Sequence, residues 1–214
     1  MQVGQGVPVR ERYGLFDLIS GPHGGGKSTL TQRLAAMDRR CVENDFDIDF
    51  TVDFPHIASL SPFERCLIRL YHRIFIASYA DTFAAKHPDA CVVTNRTMYD
   101  SEAYIHVYRD VGLITTEEFR KLDLVLRNVQ MRPYAVVLNP PVAVILQHLG
   151  KRRTQGTRSV RDAVFVKEDS ESFVTLLHAY FERFKTDDHV LYLEDDSDVS
   201  LQRIIRWIAQ RCWV

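Results

Sequence analysis

Between Leu18 and Leu34 the chain reads LISGPHGGGKSTLTQRL, a stretch with very little side chain before one lysine and two hydroxyls. Gly21, Pro22, His23, Gly24, Gly25, Gly26, Lys27 and Ser28 fit the spacing G-x-x-x-x-G-K-[ST], and Thr29 adds the second hydroxyl. In that pattern backbone N–H groups cradle phosphates, the lysine reaches the terminal ones and the serine hydroxyl ligates magnesium. Residues 15–20 read as a buried strand. From Ser28 to Ala36, Leu30, Leu34 and Ala35 fall on one helical stripe, so the loop sits at a helix N-terminus, where anions are favoured. A glycine-rich turn that binds nothing has no use for Lys27 and Ser28 beside three consecutive glycines, which cost backbone entropy on folding.

Three further clusters lie after later apolar runs. Glu43, Asp45, Asp47 and Asp49 share one face of VENDFDIDF if that segment is extended, because strand side chains alternate with period two. Four carboxylates are too acidic to bury, so they belong at a sheet edge or in solvent. Glu43 or Asp45 is the candidate to take a hydroxyl proton or orient magnesium, and Asp47 and Asp49 read as solvated. Arg96 comes just after the run ACVVT, where its planar fork suits bidentate phosphate or carboxylate recognition. Tyr99 and Tyr104 read as core rather than as a stacking platform. Finally, GKRRTQGTRSVR, Gly150 to Arg161, packs Lys151, Arg152, Arg153, Arg158 and Arg161 together. Mobile arginines there could close over a nucleotide as a lid, about residues 150–166, and stabilise charge on a transferring phosphoryl group.

Positioning these groups falls to strands at 15–20, Arg40–Asn44, Ala90–Thr94, Tyr134–Leu138 and Val190–Leu193, separated by helix-like sequence. Such alternation predicts an α/β fold with a parallel sheet of about five strands covered by helices on both faces. Ligands of open parallel sheets gather at the carboxyl ends of the strands, which is where the charged clusters fall. Ser61-Pro62-Phe63-Glu64 is a capping box opening a helix to about Lys86, and Thr115-Thr116-Glu117-Glu118 opens another to about Val129. Pro133, Pro140 and Pro141 flank the fourth strand.

The 214 residues suit one domain with one substantial core, and no Pro/Gly/Ser linker divides them. A net charge of −1 argues against a nucleic-acid coat or a membrane-surface protein. Cys41, Cys66, Cys91 and Cys212 have no metal-ligand spacing and mostly apolar surroundings, so buried reduced thiols and a cytoplasmic setting are expected. No apolar run approaches 18 residues, and residues 1–12 lack a hydrophobic stretch, so neither a membrane span nor a signal peptide is expected.

The glycine loop, VEND after the second strand, NRT and a tyrosine after the third, the basic segment and KEDSESFVTLLHAYFERF together resemble the deoxynucleoside kinases and the related thymidylate kinases. The resemblance runs from Phe16 to Trp207. It implies a three-layer P-loop fold, a base at Glu43, an arginine near the transferred phosphate at Arg96, and lid arginines at Arg152, Arg153 and Arg158. The family's Glu-Arg-Ser triplet becomes Asn95-Arg96-Thr97, and its base-reading glutamine is absent from the helix after Ser61, where Glu64, Arg65, Arg69 and His72 stand instead. The leading expectation is a kinase that uses ATP and Mg²⁺ to phosphorylate a hydroxyl or phosphate of a nucleoside or nucleotide, with a homodimer compatible with the sequence. A second keeps that chemistry with a hydroxymethylated base in DNA as acceptor. A third, an ATP- or GTP-hydrolysing switch, lacks a strand-end aspartate in VVTNR, and the absent N-K-x-D motif favours ATP over GTP.

Overall fold

The computed structural model describes residues 19–38, 41–43, 56, 59–86, 91–129, 134–155 and 166–212. Asp45, Asp47, Asp49, Arg158 and Arg161 lie outside the described residues, as does most of the strand expected at 15–20. Strand β1 (Ile19–Ser20) leads through the glycine loop into α1 (Lys27–Met37), followed by β2 (Cys41–Glu43) and the long α2 (Pro62–Lys86). Next come β3 (Cys91–Val93), α3 (Met98–Asp110), α4 (Thr116–Asn128), β4 (Ala135–Leu138) and α5 (Val142–Thr154). A 3₁₀ turn (Val166–Asp169), α6 (Glu171–Glu182), a second 3₁₀ turn (Arg183–Thr186), β5 (Val190–Leu193) and α7 (Asp198–Cys212) complete the order.

Every strand pairing is parallel. β4 lies between β1 and β5 in a three-stranded ladder, and β2 pairs with β3 in a separate ladder of two. Among the described residues the five strands fall in these two ladders. What joins them is one parallel bridge between Ile19 and Asn95, in which Ile19 N donates to Thr94 O at 3.1 Å and Arg96 N donates to Ile19 O at 3.1 Å. Only two residues of β1 are described, which leaves room for a single bridge on that side.

Alternation along β4 separates two cores. Ala135 and Val137 join a cluster with Tyr108, Leu122, Phe173 and Phe181, whereas Val136 and Leu138 join Leu30, Leu34, Leu201 and Ile204. All four β4 side chains are buried, the expected condition of a parallel strand sandwiched between helices. The helix starts follow their capping boxes. Ser61 N donates to Glu64 Oε2 at 2.7 Å and Thr115 N to Glu118 Oε2 at 2.7 Å, while the serine and threonine hydroxyls accept from the Glu64 and Glu118 N–H groups. Among the described residues no helix is long and apolar enough to cross a membrane.

At the exit of β1 the backbone is packed without clearance. Gly21 has φ +138°, and a Cβ built there would lie 2.0 Å from the carbonyl oxygen of Leu138. Substitution by alanine therefore has to push β1 from β4, and Gly21→Ala is expected to lower stability by about 2 kcal/mol or more. Thermal denaturation measures this; a melting temperature equal to that of the parent would show that the junction yields.

Candidate active site

The glycine loop closes on itself around its lysine. Gly25 N donates to Pro22 O at 3.1 Å, and Gly26, with φ 92°, is the N-cap of α1 with no side-chain cap. The first N–H groups of α1 are thus left without a side-chain acceptor at the place where an anion is favoured. Lys27 is 6% exposed and donates from Nζ to Gly21 O at 2.7 Å and Pro22 O at 2.8 Å. Burial, and after it the Arg96 guanidinium, pull its pKa down to about 7, with Asp100 opposing and Arg152 and Arg73 adding to the fall. Ser28 and Thr29 are exposed on the first turn of α1, and the Ser28 oxygen accepts from Asn95 Nδ2 at 2.7 Å.

Arg96 sits where β3 has ended and α3 begins. It has φ +93°, the only non-glycine positive φ among the described residues. An arginine held in that sparsely populated region marks a position over-determined by its surroundings, as functional positions often are. Its guanidinium carbon lies 5.7 Å from the centre of the Tyr104 ring. Tyr104 in turn meets His23. The His23 N–H donates to the Tyr104 oxygen at 3.2 Å, and His23 Nδ1 is 2.7 Å from the same hydroxyl. Burial, the largest influence, lowers the His23 pKa to about 4, so the ring is neutral at pH 7. Nδ1 then accepts from the tyrosine, and Nε2, carrying the proton, lies 3.3 Å from Asp169.

Sequence reasoning missed several groups at this site. Asp100, 3% exposed, accepts from Ser20 Oγ at 2.6 Å, Thr97 N at 2.8 Å and Gly21 N at 3.4 Å. The pattern Thr97-x-x-Asp100 is a capping box and could have been read as one. Glu168 is 6% exposed, accepts from the Tyr108 hydroxyl and lies 3.3 Å from Arg69 Nη1. Arg65, Arg69 and Arg73 recur every fourth residue on α2, a basic stripe legible in the sequence. Arg69 and Arg73 line a cavity together with Arg96, Asp100 and Tyr104.

Of the expected site residues, the structure brings Lys27, His23 and Arg96 together. Glu43 ends β2 in register with Val93, so its backbone lies at the carboxyl edge of its ladder. Arg152 and Arg153 stand on the last turn of α5, so the basic segment begins as helix and not as a loop. Cations are favoured at a helix C-terminus, which accounts for the extension. Arg153 Nη2 lies 3.5 Å from Asp169 Oδ2, and Arg152 is close enough to depress Lys27. Arg158 and Asp45 are outside the described residues. Cys41 and Cys66 are buried free thiols, and burial first raises that of Cys66 to about 12.

A parallel sheet between helices, with a glycine loop leading from its first strand into a buried lysine, is a deoxynucleoside kinase-like P-loop fold, shared with solved structures. A solved structure of deoxyadenosine kinase from M. mycoides with bound dATP matches with a TM-score of 0.62 at 14% identity, over 89% of this chain and 97% of that one. The structure of that enzyme with bound dCTP matches with a TM-score of 0.59 at 14% identity, over 90% and 97%. The structure with products dCMP and a flexible dCDP matches with a TM-score of 0.60 at 13% identity, again over 90% and 97%. No family model matches the sequence, and no curated protein matches it.

The depressed Lys27 fixes a sign for nucleotide binding. At pH 8 a lysine of pKa about 7 is mostly neutral, and a polyphosphate restores its charge. Polyphosphate binding at pH 8 is therefore expected to take up protons, at most about one per site, read by calorimetry with ATP in buffers of different ionisation enthalpy. Zero uptake would mean that Lys27 is already charged in the free protein. By the same linkage, the lysine makes the free protein more stable as pH rises above about 7, because there the unfolded chain holds the proton that the folded one lacks.

Proposed function

We propose that the chain is an ATP-dependent kinase, one P-loop domain spanning residues 1–214, that transfers the γ-phosphate of ATP to a hydroxyl or phosphate of a deoxynucleoside or nucleotide. The observation that carries this reading is the meeting of a buried loop lysine with a strained arginine. Lys27 is held in the loop by two carbonyls, and Arg96 is close enough to lower its pKa. Two cations forced together without a ligand favour an anion that lies between them.

In this reading the N–H groups of Gly24, Gly26, Lys27, Ser28 and Thr29 hold the β- and γ-phosphates, Gly21 and Gly25 shape the turn, and Lys27 and Arg96 hold the transferring charge. Little covalent chemistry remains for the protein, so positioning and charge stabilisation supply most of the rate. Glu43 and Asp45 are the carboxylates to take the proton where the acceptor is a hydroxyl. Arg152, Arg153 and Arg158 belong to the lid, with the two helical arginines at its base. The Ile19–Asn95 bridge lets the two ladders act as one five-stranded sheet.

The residues at the start of α1 and just after β3 fit Mg²⁺. Ser28 Oγ is exposed, and beside it Asn95 Oδ1 is buried without a hydrogen-bond partner. Hydroxyl and amide oxygens are hard, neutral donors, and magnesium sites of this kind take few protein ligands and rely on substrate phosphates for charge. The ion, when bound, neutralises developing charge on the phosphates. Ser28 would ligate it directly, and Asn95 would orient the Ser28 hydroxyl.

Lys27→Met keeps the stem volume and removes the charge. Incubation with labelled ATP and a panel of nucleosides and nucleotides should show kcat reduced by about a hundredfold or more, with a melting temperature near that of the parent. Turnover within a few-fold of the parent in a folded variant would overturn the kinase reading.

A further inference from the structure

Resting on the reading of the glycine loop as a phosphate cradle, we infer that His148 is a positioning residue of that loop, which holds the Gly24–Gly25 peptide with its carbonyl directed out of the cradle. His148 lies on α5, just before the basic segment. Its ring Nδ1 is 2.8 Å from the carbonyl oxygen of Gly24. A carbonyl oxygen only accepts, so Nδ1 carries the proton and donates it.

The peptide that receives this bond is poorly able to hold itself. It joins two glycines, Gly24 with φ +78°, and no Cβ on either side restricts its rotation. Both of its polar groups are nevertheless engaged. In a trans peptide the C=O and N–H point in opposite directions, and the described residues contain no cis bond. Gly24 O meets His148, and Gly25 N on the other side donates to Pro22 O at 3.1 Å. Pro22 O also accepts from Lys27 Nζ at 2.8 Å. A half-turn of the Gly24–Gly25 peptide would therefore put an oxygen where the Gly25 N–H now is, facing Pro22 O and the lysine. The two carbonyl oxygens would repel each other, and the new one would compete with phosphate for the ammonium. A loop that binds anions through its N–H groups works only while its carbonyls face elsewhere.

The helix that presents His148 is itself fixed. Ile145, His148 and Leu149 share one face of α5, being three and four residues apart. Ile145 and Leu149 are buried and form a small core with Val174 of α6. The same two side chains reach the residue that His148 grips: a Cβ built on Gly24 would lie 3.0 Å from Leu149 Cγ and 3.3 Å from Ile145 Cγ2. Apolar contact thus sets the distance between helix and loop, and the hydrogen bond sets the orientation of the peptide. A side chain held by packing on a helix positions its partner more closely than one carried on a loop.

Substitution at this position separates orientation from packing. Asparagine carries an amide N–H close to the place of Nδ1, whereas leucine fills the space and has no donor. Two measurements on the full chain are compared. One is the Kd of inorganic tripolyphosphate by calorimetry, which needs neither acceptor nor turnover. The other is steady-state kinetics with labelled ATP, Mg²⁺ and whichever nucleoside or nucleotide takes label from the parent. Apparent affinity falls with the fraction of loops in the competent orientation, and one neutral hydrogen bond shifts that fraction by up to about tenfold. His148→Leu should therefore raise the tripolyphosphate Kd and the KM for ATP by about 3- to 10-fold, with the KM for the acceptor within about twofold of the parent. His148→Asn should recover most of both losses. A purely structural contact would instead lower the melting temperature of His148→Leu and leave its tripolyphosphate affinity within about threefold of the parent. That result, or an asparagine variant that binds no more tightly than the leucine one, would overturn the inference and leave the kinase reading standing. Tripolyphosphate affinities that respond as expected, with label from ATP on no acceptor, would do the reverse: the restraint on the loop would stand and the kinase reading would fall.

Discussion

A carboxylate taken out of water is tolerated only when donors surround it, and at Asp100 the donors come from two parts of the chain. Ser20 and Gly21 belong to the end of β1 and the start of the glycine loop; Thr97 belongs to the start of α3. The same threonine hydroxyl lies 2.5 Å from Ser20 Oγ and accepts from Tyr99 N, so the cap of α3 and the exit of β1 are one hydrogen-bonded unit. That unit lies beside the single Ile19–Asn95 bridge between the two ladders. Side-chain bonds from a buried acid thus reinforce that bridge, and both Lys27 and Arg96 lie in the segments it ties together.

Around this joint the charge is unevenly distributed. Glu168 is kept ionised against the cost of its burial chiefly by Arg69, with the Tyr108 hydroxyl helping. Arg69 is held charged by Glu168, also against burial. This pair is a structural element of the cavity wall, since removing one partner would leave the other as an uncompensated buried charge. Lys27, Arg73, Arg96 and Arg152 have the opposite relation to one another: each makes the charging of the lysine harder. A folded protein carries such repulsion at a cost in stability, and an anionic ligand relieves it.

How much of this was legible in the sequence depends on range. The glycine loop, the capping boxes at Ser61 and Thr115 and the apolar runs of β4 and β5 are local patterns, and the structure has them within a residue or two of the expected positions. Asp100 and Glu168 were not found because what gives them meaning is distant: 80 residues separate Asp100 from Ser20, and 60 separate Glu168 from Tyr108. The α2 arginines lay between these cases. Their four-residue spacing is visible, yet a basic stripe on a helix is usually solvated, and only Arg96 and Tyr104, arriving from another element, turn this one into a cavity wall. The basic segment after β4 reads in the sequence as a mobile lid; its first residues, through Thr154, are the last turn of α5, where the helical propensity of Lys and Arg and the helix C-terminus favour them.

Tyr104 is the residue through which the glycine loop meets the arginines of the cavity. Its hydroxyl is shared with the backbone and ring of His23, inside the phosphate loop, while its ring face is shared with Arg96 and Arg69. His23 extends the chain of contacts to Asp169, and Asp169 to Arg153 at the base of the basic segment. Because His23 is neutral at pH 7, its link to Tyr104 is a hydrogen bond whose direction is set by the tautomer rather than a charge that salt would screen. His23, Tyr104 and the two arginines near its ring are thus one connected set of contacts that runs from the glycine loop to the cavity wall.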